Sequence, residues 1–305
     1  MGRRKSGIDI HGIVLLDKPV GISSNQALQK VRGIFQARKA GHTGSLDPFA
    51  TGMLPVCLGE ASKTAAFMLE AGKRYRATAL LGVATTTGDV EGEVIQTCPV
   101  ADIDVLKLAQ TLARFEGVIE QVPPMYSALK HEGKPLYEYA RAGIVIERPA
   151  RRVTIHRLQL LDWQSPYLTF EVDCSKGTYI RTLAEDIASA LGCCAHLVAL
   201  RRIFVEPFEH FPMQTLEQLQ QARDCGGLAA LLLPVDAGLP DWKRIDIDTI
   251  GQSKFRNGNP LKVSAESSIT GNVRVYGPEG HVIGLARLSV DRNLQPFRVF
   301  NLESA

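Results

Sequence analysis

The hydrophobic positions of this chain follow two different periods. Leu28, Val31, Ile34 and Phe35 recur at helical spacing behind Ser23, Ser24 and Asn25, any of which suits a helix N-cap. A second helix is expected from about Glu60 to Glu70, ending near Gly72. Tyr75, Ala77, Ala79 and Leu81 then alternate with more polar neighbours, as a half-buried strand requires, and the alternation returns at Leu168, Phe170, Val172 and Cys174. Helical spacing resumes at Leu183, Ala184, Ile187, Ala188 and Leu191 and stops at Gly192. Strands that feed helices with no Gly-rich dinucleotide turn between them favour an α+β fold over a doubly wound sheet.

Three stretches depart from this pattern. Residues 121–152 contain Pro123, Pro124, Gly133, Pro135, Gly143 and Pro149 within a basic, tyrosine-bearing segment, and read as an excursion from the core. Near residues 234–248, Pro234, Gly238, Pro240 and the acids Asp241, Asp246 and Asp248 suggest a linker. Beyond it, Val273, Val275 and the run Val282 to Leu285 suggest a small β-rich module. The expected division is a main domain over 1–240 and a second over 249–305, in keeping with a length of 305 residues.

Composition narrows the class. With 45% hydrophobic and 22% charged residues the chain reads as a globular, cytoplasmic protein, and no segment approaches the roughly 20 apolar residues that span a bilayer. The net charge of +3 is too small for a global field, so a polyanionic partner would have to meet local patches. Two are visible: Arg3, Arg4 and Lys5 at the N-terminus, and residues 130–157, where seven Lys and Arg face three Glu. A solvated face is the commoner fate of such a run. The six cysteines show no CxxC pair and no regular spacing, so neither a zinc site nor a disulfide framework is expected.

The run from Gly41 to Glu60 carries the clearest chemistry. It sets one carboxylate, Asp47, among His42, Thr43, Ser45 and Thr51, with Gly41, Gly44, Gly52 and Pro48 shaping the backbone around it. Most Asp-Pro pairs only start turns, but a carboxylate in a fixed, polar loop is a candidate for catalysis.

The block GHTGSLDPFATGMLPVCLGEASK closely resembles the signature of the TruB-type tRNA pseudouridine synthases. Further segments resemble the family in order: LDKPVGISSNQAL from Leu16, KRYRATALLG from Lys73, TTTGDVEGE from Thr85, PPMYSALKHEGKPLYEYAR from Pro123, CSKGTYIRTLAEDI from Cys174 and LRR at Leu200 to Arg202. The match spans most of the first 235 residues and then thins to FRNGNP at Phe255 to Pro260. Ser45 and Ser62 stand where the family commonly has alanine and threonine.

The resemblance implies a catalytic fold around a mixed, largely antiparallel sheet, an RNA-gripping insertion at about 121–152 and a PUA-like C-terminal domain. It implies isomerisation of the T-loop uridine at tRNA position 55 by a monomer that binds the T-arm, with no metal or cofactor and no obligate protein partner. Asp47 would be the catalytic carboxylate, paired with Arg181, with Tyr75 stacking on the extruded base and Leu200 packing beneath it. His42 would fill the space that the flipped nucleotide leaves, Lys18 and Pro19 would order the catalytic loop, and Asp89 and Tyr179 would contact the substrate or support the site.

The residues alone leave two routes open for Asp47: attack on the electron-poor C1′, as carboxylates do in glycoside hydrolysis, or proton abstraction at C2′ through a glycal. They also leave a non-enzyme alternative, a tRNA-binding or tRNA-folding protein that uses the same surface without turnover; binding and catalysis are compatible, so tRNA folding (chaperone) activity is equally open as an addition to the enzyme's. A base-flipping zinc deaminase is excluded because HxE and PCxxC are absent, and a P-loop NTPase because GxxxxGK[ST] is absent.

Overall fold

The computed structural model describes residues 7–100, 103–264 and 268–302. The basic arm Arg3, Arg4 and Lys5 lies outside the described residues. Strand β1 (Gly12–Lys18) is followed by α1 (Ser24–Ile34), β2 (Ala40–His42) and β3 (Thr51–Leu58). Of the three N-cap candidates the cap is Ser23, whose hydroxyl accepts from the Gln26 N–H while the Gln26 side chain accepts from the Ser23 N–H.

The helix expected over 60–70 is broken. A 3-10 turn at Gly59–Lys63 is followed only by the single turn α2 (Ala65–Met68). Between them the buried Thr64 donates its hydroxyl to the carbonyls of Ala61 and Val235, a local bond that competes with a continuous helix.

The chain continues through β4 (Lys73–Leu81), β5 (Val83–Thr85), β6 (Val94–Thr97), α3 (Val105–Ala113) and β7 (Gly117–Gln121). The short strands β8 (Lys130–His131) and β9 (Lys134–Pro135) and helix α4 (Leu136–Arg141) lead to the long β10 (Arg151–Gln164). Arg151 pairs with Gln121, so residues 122–150 leave and rejoin the sheet at one point. Then come β11 (Tyr167–Cys174), α5 (Ile180–Ala190), β12 (Ala195–Val205) and α6 (Leu216–Asp224).

The eight-stranded sheet runs β1-β3-β12-β4-β11-β10-β7, with β2 also on β3. Every pairing is antiparallel except β12 with β3, where Arg201 and Arg202 lie beside Thr51 and Gly52. This is the mixed, largely antiparallel α+β fold read from the sequence.

Alternation decides which face of the sheet each residue serves. Tyr75, Ala77, Ala79 and Leu81 of β4 join Phe170 and Val172 of β11 and the apolar face of α5 in one core. Arg74 and Arg76 on the opposite face of β4 pair across to Asp173 and Glu171 of β11. Strand β1 is apolar almost throughout because both its faces are covered. Val14 and Leu16 pack under α1 and α6, and Ile13 and Leu15 face the C-terminal module.

That module is a five-stranded sheet of β13 (Lys243–Asp246), β14 (Leu261–Lys262), β15 (Gly271–Tyr276), β16 (Val282–Leu288) and β17 (Asn293–Val299), with α7 (Thr249–Arg256) packed on it. It starts at 243 rather than 249, since β13 pairs in parallel with β15. The expected linker is packed as well. Val235 and Leu239 are core residues, and the buried Asp236 carboxylate takes Arg274 at 3.0 Å and the Tyr276 hydroxyl at 2.6 Å. Of the acids that suggested a linker, Asp246 pairs with Arg244 and Asp248 caps α7 by accepting from the Gly251 N–H. Phe67, Trp242 and Phe297 meet edge to face across the same junction.

Candidate active site

Between β2 and β3 the backbone of residues 43–50 is fastened nearly residue by residue. The Thr43 N–H donates to the Pro55 carbonyl at 3.1 Å. The Gly44 and Ser45 carbonyls accept from the Arg202 guanidinium at 3.1 and 3.4 Å. Leu46 is held at both ends by the Ser24 hydroxyl, which accepts from its N–H at 2.7 Å and donates to its carbonyl at 3.0 Å. The Pro48 carbonyl accepts from the Gly21 N–H at 2.8 Å and from Lys18 Nζ at 3.3 Å. Of the three glycines expected to shape the loop, Gly44 (φ +82°) and Gly52 (φ +101°) occupy the left-handed region, and Gly41 is an ordinary residue of β2. A Cβ on Gly52 would lie 2.2 Å from the Arg202 carbonyl, so the crossing of β3 and β12 requires glycine there.

Asp47 is the residue this frame presents. Its side chain keeps 39% exposure while its other sides are enclosed by protein, and Arg181 Nε stands 3.2 Å from its carboxylate. Arg181, in the first turn of α5, is 5% exposed. Its Nη1 donates to Asp89 at 3.1 Å and to the Thr87 carbonyl at 2.7 Å, and its Nη2 to the Tyr126 carbonyl at 2.7 Å. One guanidinium thus joins the loop of Asp47, the β5–β6 connection and the 122–150 excursion. Burial pushes the Asp47 carboxyl above its ordinary range; Arg181 opposes this, Asp89 adds to it and Lys18 opposes it.

Asp89 is only 2% exposed, and it accepts from the Thr87 hydroxyl at 2.6 Å and the Glu91 N–H at 3.0 Å as well as from Arg181. It is a counter-ion to Arg181 and does not face the opening. Tyr75 and Leu200, 8% and 7% exposed, lie with Leu46 and Phe49 in the apolar floor beside Asp47. Burial pushes the Tyr75 phenol up, so it stays neutral, with Arg202 pulling the other way.

His42 ends β2. Burial and Arg202 push its pKa down, and among the described residues its enclosed Nδ1 has no partner, so that no carboxylate there orients the ring through Nδ1 as a general base requires. Tyr179 caps α5, where its N–H donates to Gln121 Oε1 at 3.1 Å and its carbonyl accepts from Gln121 Nε2 at 3.2 Å. Burial pushes its phenol up, against Arg151 and Arg181. Lys18 is fully buried and donates to the carbonyls of Pro19, Ile22 and Pro48. Burial lowers it to about 8, with Asp47 and Glu91 pulling it back up.

Arg202 is the contributor for which the sequence reading gave no role. It is 1% exposed, and besides the Gly44 and Ser45 carbonyls it binds Met53 O through Nε at 2.7 Å. The signal was present, because alternation on β12 puts Arg202 on the face of the buried Leu200. Its neighbour Arg201 points the other way, to Asp17 at 2.7 and 2.9 Å. Lys73, beneath Gly44, and Glu91 were also passed over. Burial lowers Lys73 to about 8 and raises Glu91, which also feels Asp89 and Asp47.

The basic stretch divides on inspection. Arg141, Arg151 and Arg152 are exposed, with Arg141 stacked over the Tyr137 ring. The Nε and Nη1 atoms of Arg148 are enclosed without a partner.

If Arg181 is the main opponent of burial at Asp47, Arg181→Met raises the Asp47 titration further above the ordinary carboxylate range. Carboxyl-13C aspartate NMR measures it directly. An unchanged or lowered Asp47 titration would show that the carboxylate is kept ionised by something else.

Comparison with known proteins follows this geometry. Residues 32–180 match the TruB family pseudouridylate synthase N-terminal domain, 181–240 the tRNA pseudouridylate synthase B C-terminal domain and 244–300 the pseudouridine synthase II TruB C-terminal region. The chain is 51% identical over 304 residues to tRNA pseudouridine synthase B of Nitrosococcus oceani, covering 99% of this chain and 98% of the relative. It is 48% identical over 306 residues to that of Actinobacillus succinogenes, covering 99% and 98%. In structure it is similar to a chain of an H/ACA RNP bound to a substrate RNA containing 2′-deoxyuridine, with a TM-score of 0.72 at 22% identity over 95% of this chain and 85% of that one. It is also similar to a chain of the archaeal box H/ACA sRNP Nop10–Cbf5 complex, with a TM-score of 0.71 at 23% identity over 95% and 86%. With full-length relatives at this identity and a fold to match, the chain belongs to the TruB family of pseudouridylate synthases.

Proposed function

We propose that the chain converts the uridine at position 55, in the T-loop of tRNA, to pseudouridine, with Asp47 as the reacting carboxylate. The observation that carries this reading is a single carboxylate, ion-paired to Arg181 and open on one side, in a loop whose neighbouring backbone groups are fastened. The reaction breaks the bond from C1′ to N1 and joins C5 to C1′, and the proton lost at C5 balances the one gained at N1. No redox step, second substrate or metal is needed for that balance. Attack at C1′ and abstraction at C2′ make the same demand on the protein, an ionised carboxylate held against the ribose.

The base leaves its stack to be reached, and the apolar floor of Tyr75 and Leu200 is a surface on which a uracil ring packs. His42 takes the vacated place in the RNA. The partner is tRNA, met in the cytoplasm by a single chain. The excursion at 122–150, through Arg141, and the start of β10, through Arg151 and Arg152, grip the T-arm, and the C-terminal sheet is a PUA-like RNA-binding appendage.

A T-arm stem–loop transcript incubated with the purified protein in the presence of chelator is expected to carry one pseudouridine, at its T-loop uridine. A requirement for one specific divalent ion, or product at a different position, would overturn the reading. Removing the charges of Arg141, Arg151 and Arg152 together is expected to weaken RNA binding and to flatten its salt dependence by roughly 2 to 3 in the log–log slope. An unchanged slope in the triple variant would make that stretch a solvated face.

A further inference from the structure

Cys98 and Cys194 stand apart from the catalytic groups. Cys98 follows β6 directly and Cys194 precedes β12, and the two sulfurs are 2.7 Å apart, about 0.7 Å more than a disulfide bond. The backbone around them is already fixed. The Cys194 N–H donates to Cys98 Sγ at 2.9 Å, the Gly82 N–H donates to the Cys194 carbonyl at 2.7 Å, and the Cys98 N–H donates to the Gly82 carbonyl at 2.9 Å. Both thiols are partly exposed, within reach of a small oxidant. Cys193, next in sequence, packs instead against the main hydrophobic core.

We propose that Cys98 and Cys194 are a site of reversible oxidation, forming a disulfide that fastens the base of the β5–β6 hairpin to β12. The reactant class is a low-molecular-weight disulfide. One protein thiolate attacks glutathione disulfide, giving a mixed disulfide and one glutathione. The second thiol, on losing its proton, displaces the other glutathione, so two protein thiols are oxidised and one disulfide is reduced to two thiols.

The location gives the bond a consequence. The hairpin carries Asp89, the counter-ion of Arg181, and it docks on β12 through a short ladder. His196 Nδ1 lies 2.8 Å from the Val83 carbonyl, and the Leu197 N–H donates to the Gly88 carbonyl at 3.0 Å. A covalent bond at the foot of that ladder restrains its opening without moving Asp89, because the sulfurs already touch in the reduced fold.

The test uses the full chain, treated with glutathione disulfide, alkylated under denaturing conditions without reductant, and mapped by mass spectrometry with fragmentation between Cys193 and Cys194. The expected result is a mass loss of about 2 Da from removal of two hydrogens, one Cys98–Cys194 cross-link, an alkylated Cys193, and recovery of both thiols with dithiothreitol. Cys98→Ser and Cys194→Ser abolish the cross-link, and Cys193→Ser leaves it. In hydrogen exchange, residues 83–97 of the wild type slow on oxidation, and those of Cys194→Ser do not change. A cross-link through Cys193, stable glutathione adducts on Cys98 and Cys194, or two freely alkylated thiols would each overturn the proposal, and the wild-type map decides this even if a serine variant fails to fold. Unchanged exchange in residues 83–97 of the cross-linked protein would overturn the restraint assigned to the bond.

Discussion

The site depends on two buried cations that bind main-chain carbonyls. Arg202 and Lys18 lie beneath the loop of Asp47 and between them hold backbone oxygens on both sides of that residue: Arg202 those of Gly44, Ser45 and Met53, Lys18 that of Pro48. Burying a charge is costly unless its hydrogen bonds are met, and here they are met by the segment that has to be held still. The expense serves position. A loop of residues 43–50 secured only by its own turns would leave the carboxylate several orientations, whereas one fastened at its carbonyls presents it in one.

Lys18 also acts on the charge of Asp47. Burial, and after it the neighbouring Asp89, push the Asp47 carboxyl up, and Arg181 and Lys18 act in the opposite sense. Asp89 in turn steadies Arg181 from a position closed to solvent. Asp47 and Asp89 share one guanidinium, so substitutions at either act on the other through Arg181 and are not additive. Burial pushes the His42 pKa down and Arg202 adds to it, so His42 meets this network through a cation and not through a carboxylate.

Much of this was legible in the sequence, for reasons that differ by residue. The strands of the main sheet were visible because Tyr75 to Leu81 and Leu168 to Cys174 are covered on one face only, so the period of two survives. Asp47 and Arg181 were legible through their motifs, and the structure brings them to 3.2 Å although they stand 134 positions apart in the chain. The helix over 60–70 was misjudged because Thr64 gives its hydroxyl to backbone carbonyls, which residue spacing does not reveal. The linker was misjudged because two of its acids have structural posts, Asp246 pairing with Arg244 and Asp248 capping α7, and because Val235 and Leu239 are core residues among the prolines. Arg202 had a readable period but sits beside Arg201, and two adjacent arginines look like a solvated pair until one of them is seen to be inside.

The account's central claim is that Asp47 performs the chemistry while the surrounding groups hold it in place. Single-turnover conversion of an RNA T-loop by Asp47→Asn, measured beside RNA affinity and beside His42→Ala, addresses it most directly. The amide keeps nearly the same volume and loses the charge, so turnover is expected to vanish with the fold and RNA affinity retained, and His42→Ala is expected to keep part of its activity. Turnover retained by Asp47→Asn and abolished by His42→Ala would contradict the account and place the chemistry at the histidine.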